Sequence, residues 1–314
     1  MDNTSLEPYF TICIPTYNRA NLLIRTLESI RKQQFDSYEV LIIDDGSVDN
    51  TREVVETYIT NYGLEKKYKY YYKVNGGKHT AINVGLDNAT GKYFIIFDSD
   101  DYFTEKAFEN IYNYCQKIDN DMSYSGVMGR SIDISNNKII GDLFAKEDLI
   151  SSYFDYHFVL PFKMDIIDCL SVDKTEILKK YRFPEPDNTK FVNEAWLFDQ
   201  IGVRYKMLLT NDVFRYVEYQ QDGITKNQKV FKERNIVGFL YHYISRIENV
   251  LPYASIRGMQ KVKLYVIAWW RYWEAVKIDS NNLGPRIDRV SLLGQIVRVI
   301  MPLLNIAAKL VHVR

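Results

Sequence analysis

An α/β fold, with a mostly parallel sheet, helices on both faces and a helical C-terminal extension, is predicted by three features of the 314-residue sequence. The short runs FTICIP, EVLIID and YFIIF are apolar almost throughout, as strands buried on both faces must be. Stretches with apolar residues at helical spacing separate them, the alternation that builds parallel βαβ units. Beyond about residue 225 the strand pattern ends and long helical stretches replace it.

Phe10 to Pro15 forms a strand stopped by its proline and by the loop residues Tyr17 and Asn18. From Asn21 to Gln33, Leu22, Leu23, Leu27 and Ile30 share one helical face, while Arg25, Glu28 and Arg31 point elsewhere. Glu39 to Asp44 is a second strand, broken at Asp45-Gly46-Ser47, after which Asp49 or Asn50 caps a helix carrying Val54, Val55, Tyr58 and Ile59. Lys69 to Val74 is a tyrosine-rich strand, Gly76-Gly77 a turn, and Thr80 to Ala89 a short helix. Tyr93 to Phe97 is a strand that runs directly into Asp98-Ser99-Asp100-Asp101. A helix over 105–118, strands near 122–134 and 138–143, a mixed region over 145–190, a helix over 191–201 and strands over 206–210 and 213–219 follow. Tyr265 to Val276 and Val290 to Val313 are the clearest of the late helices.

Apolar residues make up 46% of the chain and charged ones 25%, which excludes disordered and fibrous classes. Forty basic side chains balance forty acidic ones, so no global field draws nucleic acid. Cys13, Cys115 and Cys169 are odd in number and widely spaced, against both a disulfide framework and a zinc site. Met1 to Pro8 is polar and acidic where a signal peptide needs a positive start and an apolar run, so a cytoplasmic protein is expected.

Ligands of parallel sheets sit outside the carboxyl ends of the strands. Tyr17, Asp44, Asp45 and Asp98 to Asp101 all fall at such ends, so one crevice should hold them. The carboxylates of Asp98, Asp100 and Asp101 repel one another unless a cation or solvent screens them, and hard ions such as Mg²⁺ or Mn²⁺ take oxygen ligands together with phosphate. By itself the same run is also an acidic turn, and Asp44-Asp45-Gly46-Ser47 is also ordinary turn chemistry. Tyr17 offers a ring for a nucleobase, or a packing residue like other tyrosines. Asn75 to His79 places flexible backbone and Lys78 ahead of a helix, where phosphate can bind. No G-x-G-x-x-G follows the first strand, and no P-loop or G-x-S-x-G sequence occurs.

Taken in order, Pro15-Thr16-Tyr17-Asn18-Arg19, Asp44-Asp45-Gly46-Ser47-Val48-Asp49, Asn83-x-Gly85 with Ala89-x-Gly91, and Asp98-Ser99-Asp100-Asp101 resemble the family-two inverting glycosyltransferases with the GT-A fold. The resemblance runs from Thr11 to about Tyr102. It implies a catalytic domain over 1–225, with a nucleotide-binding half at 9–103 and an acceptor-binding half at 104–225, and leaves 226–314 as the extension. It also implies an enzyme that moves one sugar from a nucleotide-sugar donor, expected to be a UDP-sugar, to a hydroxyl of a glycan or lipid-linked sugar in surface polysaccharide synthesis. Pro15, Tyr17, Asp45, Lys78, Asp98 and Ser99 would line the donor, with Tyr17 stacked on the base, Asp45 hydrogen-bonded to it and Asp98 near the ribose. Asp100 would hold the Mn²⁺ or Mg²⁺ ion that bridges the diphosphate. An inverting transfer also needs a base for the acceptor hydroxyl. Glu194, in Phe191-Val192-Asn193-Glu194-Ala195-Trp196, is its counterpart; Ala195 stands where Asp is commoner, which keeps Asp199 as the alternative.

Val290 to Val313 is amphipathic but broken by Gln295, Arg298, Pro302, Asn305 and Lys309, too often for a spanning helix. Residues 285–314 are therefore expected either to lie on a membrane surface or to pack on the protein or a second copy. Trp269, Trp270 and Trp273 read as core by default. Two rivals remain at this level, a sugar-phosphate nucleotidyltransferase and a non-catalytic carbohydrate-binding scaffold.

Overall fold

A computed structural model describes residues 7–159, 168–219, 228–279, 281, 283–288 and 290–299. Its elements are β1 (Phe10–Thr16), α1 (Ala20–Arg31), β2 (Tyr38–Asp44), α2 (Thr51–Tyr62), β3 (Tyr68–Tyr72), α3 (Lys78–Asn88), β4 (Tyr93–Ile96), β5 (Tyr102–Phe103), α4 (Ala107–Gln116) and β6 (Tyr124–Asp133). There follow β7 (Lys138–Ile139), β8 (Leu149–Ser151), α5 (Tyr153–Phe158), β9 (Cys169–Lys174), α6 (Thr175–Leu178), α7 (Ala195–Gly202), β10 (Lys206–Val217), α8 (Gln228–Arg234), α9 (Ile236–Ser245), a π-helical turn over Arg246–Val250, and α10 (Gly258–Ile278).

One sheet runs in the order β3-β2-β1-β4-β9-β6-β10-β5. Its first four strands are parallel; β1, β2 and β4 are buried almost throughout, as their apolar sequences require, and β3 is the half-exposed edge. Residues alternate between the two faces: Phe10, Ile12 and Ile14 pack toward α1 and α4 (Leu27, Phe108), whereas Cys13, Leu41 and Ile43 pack toward α3 and α7 (Ile82, Leu197). The parallel pattern does not continue unbroken. β9 enters between β4 and β6 antiparallel to both, and β6 and β10 then pair in parallel. The strands expected at 206–210 and 213–219 are one strand, β10, with a register irregularity between Leu209 and Val213. The strand expected over 138–143 shrinks to β7.

The ends of β1 and β2 are laced together. Asp49 accepts from the Thr51 amide at 3.0 Å and the Ala20 amide at 3.3 Å, so it caps α2 and steadies the start of α1, while Asn50 makes no capping bond. The Asn18 amide donates to Ser47 Oγ and the Val48 amide to Asn18 Oδ1, both at 2.9 Å.

The helical extension has a second apolar core, in which Leu240, Ile247, Tyr265, Trp269 and Tyr272 pack with Phe154 of α5. Trp269 is the core residue among the three tryptophans and donates to the Gly294 carbonyl at 3.0 Å; Trp270 and Trp273 face outward. Residues 292–299 are helical, and 300–314 lie outside the described residues. Among the described residues no helix is long and apolar enough to cross a membrane.

Candidate active site

The ends of β2 and β4 reach the start of α3 through Asp45 and Asp98, and the cavity beside them is lined by Asp98 and Lys78 but not by Tyr17, Asp45 or Asp100. Asp45 follows β2 and is buried, and it organises the loop between β3 and α3: Oδ1 accepts from Lys73 Nζ at 2.6 Å and the Gly76 amide at 2.9 Å, Oδ2 from the Gly77 amide at 2.7 Å. A carboxylate has about four acceptor positions, so these three bonds leave room for one more. Asp44 is spent on structure, bonding the Ser47 amide and the Tyr70 hydroxyl. Gly77 closes the loop at φ +98°, and a Cβ there would lie 1.8 Å from the Lys190 carbonyl oxygen. Only glycine satisfies both conditions. The tight turn also explains why α3 begins at Lys78, two residues before its sequence pattern suggests.

Lys78 is the hinge of the site. Its ammonium lies 2.5 Å from Asp98 Oδ1 and 2.7 Å from Glu194 Oε1. Burial opposes its charge, but the two carboxylates outweigh that and hold its pKa above the ordinary lysine range. Asp98 likewise stays ionised: burial disfavours the charge, while Lys78 and Arg215 pull its carboxyl below the usual value. Two segments far apart in sequence, the end of β4 and the N-terminus of α7, are thus joined by one side chain.

The acidic run divides its carboxylates three ways. Asp98 goes to Lys78. Asp101 turns inward onto Arg215 at 2.7 Å, and Arg215 also holds Asp168 and donates to Ser131 Oγ at 2.9 Å. Asp100 keeps a carboxyl whose pKa is pushed up by burial first and by the charge of Asp98 second, against the pull of Arg19 and Lys78. The backbone of the run is pinned from α1: Thr26 Oγ1 donates to the Ser99 and Asp101 carbonyls at 2.9 and 2.7 Å, and Arg25 to the Asp100 carbonyl at 2.9 Å. Ser99 is therefore buried in the turn. Among the described residues no three His, Cys, Asp or Glu side chains gather into a metal cage. The donor set fits instead an ion held by one or two carboxylates and completed by phosphate oxygens, and a cation beside Asp100 would offset the charge of Asp98 there.

Tyr17 is 46% exposed just past β1. Pro15 is buried within β1 opposite Ile43, beyond the last residue that β4 pairs, so its missing N–H breaks no β4 bond. Below the ion-paired cluster lies a cavity of about 200 Å³, lined among others by Lys78, Asp98, Glu194, Arg215, Tyr153 and Asp173.

Asp199, the alternative base read from the sequence, lies in a buried ion-paired cluster apart from Glu194 and Lys78. It is 1% exposed and bound by Arg246 at 2.7 and 3.0 Å and by His242 at 3.2 Å. Burial works against its charge, yet Arg246 and His242 bring its pKa down to about 2, so near neutrality it is ionised and engaged by that pair. Arg215, Asp168 and Lys73 were not selected from sequence. An arginine within the apolar strand Val213-Phe214-Arg215-Tyr216-Val217 was the available signal for the first; the other two carry none. Asn83 proves structural, clamping α3 to Phe183 and Glu185 through both ends of its amide.

The family model for Glycosyl transferase family 2 matches residues 11–181. An uncharacterized glycosyltransferase of Rickettsia typhi is 35% identical over 120 residues, 38% of this chain and 36% of that protein. Glycosyltransferase GlyG of Streptococcus pneumoniae serotype 4 is 32% identical over 118 residues, 37% of this chain and 38% of its own. These curated relatives are thus matched over little more than a third of their length. Among solved structures, S. aureus TarS 1–349 in complex with UDP-GlcNAc superposes with a TM-score of 0.58 at 18% identity, covering 93% of this chain and 79% of that one. Mannosyltransferase PcManGT from Pyrobaculum calidifontis, in complex with GDP-Man and Mn²⁺, gives 0.54 at 18%, covering 96% and 81%. At such identity the likeness shows the fold, which is the GT-A arrangement expected above. With a family model spanning more than half of its length, the chain belongs to glycosyl transferase family 2.

Proposed function

We propose that this protein is a metal-dependent inverting glycosyltransferase, which moves one sugar from a UDP-sugar to an acceptor hydroxyl. The observation that carries the reading is the Lys78 bridge, which puts the Glu194 carboxylate beside the residue expected to meet the donor. Tyr17 stacks on the base, Asp45 accepts from it with its remaining lone pair, and Pro15 and Ser99 shape the floor between them. Asp98 faces the ribose and Asp100 the diphosphate, where Asp100 would hold Mn²⁺ or Mg²⁺. When bound, such an ion stabilises the charge that develops on the leaving diphosphate. Lys78 releases its hold on Glu194 toward the diphosphate as the donor enters, and Glu194 then takes the proton of the attacking hydroxyl. Inversion follows from attack opposite the leaving group, so no covalent intermediate on the chain is needed.

Neighbours of the same fold have been captured with UDP-GlcNAc and with GDP-Man and Mn²⁺, which supports a nucleotide-sugar donor and a divalent ion. The acceptor proposed is a glycan or lipid-linked sugar of a surface polysaccharide, met at the inner face of the cell membrane through residues 285–314.

A panel of UDP- and GDP-sugars with Mn²⁺, Mg²⁺ or chelator tests this. Glu194→Gln should lower turnover at least about a hundredfold while nucleotide binding persists. Asp100→Ala should abolish metal-dependent turnover; near-normal activity of that variant in chelator would remove the metal from the reading.

A further inference from the structure

The chain is neutral overall, but its charge is divided. Residues 257–314 hold ten basic side chains and three acidic ones, so the rest carries the compensating acidic excess. Within this basic part α10 turns an unusual face to solvent. At about 100° per residue, Met259, Lys263, Trp270, Trp273 and Lys277 project from one side of the helix, with Val266 between them packed against the core beneath. Its other side, with Tyr265, Trp269 and Tyr272, is the buried one. Met259 is 80% exposed and Trp270 45%, and Lys263 and Lys277 are exposed beside them. The helix's sole acidic residue, Glu274, is held by Lys232 at 2.7 Å. The neighbouring segment 292–299, bonded to Trp269 through Gly294, exposes Leu292, Ile296 and Val299 at helical spacing, with Arg298 among them.

An outward helix face ordinarily carries polar and charged groups. Here indole, thioether and aliphatic groups alternate with lysine. Protein–protein interfaces are depleted in lysine, whereas helices that lie in a bilayer surface combine Trp and apolar residues with lysines whose stems extend along the apolar region and whose ammonium groups reach the headgroups. We propose that this face of α10, with 292–299 alongside, docks on a membrane surface bearing anionic lipid. The inference rests on the reading that the C-terminal part meets a bilayer, and it moves the principal contact from the tail to α10.

Co-sedimentation of the full chain with vesicles, without donor or acceptor, tests it separately from the transfer chemistry. The protein should pellet with phosphatidylcholine–phosphatidylglycerol vesicles, not with phosphatidylcholine alone, and be released as salt rises. W270S/W273S and K263E/K277E should each weaken partitioning about tenfold or more. Failure of the wild type to pellet, or wild-type retention of both double variants, overturns the proposal. So does a dimer in size-exclusion chromatography that W270S/W273S converts to monomer, which assigns the face to a second copy. A full-chain K309E/R314E variant, which leaves the core residues of 285–299 in place, separates the two readings. If it stays bound while W270S/W273S is lost, α10 is confirmed and the tail is dispensable; the reverse pattern restores the tail and removes α10.

Discussion

Asp173 shows how one residue can tie the candidate site to solution conditions. It lies on β9, 2% exposed, with Oδ2 accepting from Ser171 and Oδ1 unpartnered at the cavity lining. Burial pushes its carboxyl up to about 7, even though hydrogen bonds from Ser171 and Ser125 pull the other way. Between about pH 4 and 7 the unfolded chain has released this proton and the native chain has kept it, so native stability falls as pH rises through that window. Asp173→Asn has no proton to lose. Its stability relative to wild type should therefore climb from about pH 4 to 7 and level off above, as read by urea unfolding at fixed pH values; a flat difference would show that Asp173 is charged in the folded protein throughout. The same reasoning applies at Asp199, five residues beyond Glu194, whose surroundings keep it charged instead. Burial beside Arg246 and His242 ties its carboxylate to the helical extension, and no spacing rule reveals that.

The turn from β3 into α3 does at the level of an element what those side chains do singly. Its amides hold Asp45, its glycine clears Lys190, and its first helical residue spans Asp98 and Glu194. Gly77→Ala should cost at least about 2 kcal/mol, since the backbone is left-handed and the carbonyl of Lys190 must move. Donor affinity should fall with it, because Lys78 is displaced; thermal unfolding and nucleotide titration check the two effects. Much of this element was legible in advance. β1, β2 and β4 declare themselves because strands buried on both faces must be apolar throughout, and the residues at their ends follow from where the apolar runs stop. The antiparallel entry of β9 and the pairing of Arg215 with Asp101 and Asp168 were not legible, since both depend on contacts between distant segments whose local composition is compatible with several partners.

For the whole molecule, Asp199 is the buried ionic tie between α7 and the helical extension, beside the apolar packing of Phe154. Asp199→Ala would leave the buried His242 and the guanidinium of Arg246 facing a void, a loss of about 3–5 kcal/mol by the usual cost of breaking a buried ion pair. Calorimetry should show that loss, while Asp199→Asn, which keeps a hydrogen-bonding group there, should retain measurable turnover where Glu194→Gln does not. Loss of all turnover in Asp199→Asn with folding intact would return Asp199 to the chemistry. Finally, the division of charge along the sequence leaves a basic C-terminal part in a protein with almost no monopole. Near its isoelectric point it should hardly migrate in a field, yet at low ionic strength it should be retained on cation-exchange resin, and K263E/K277E should elute earlier.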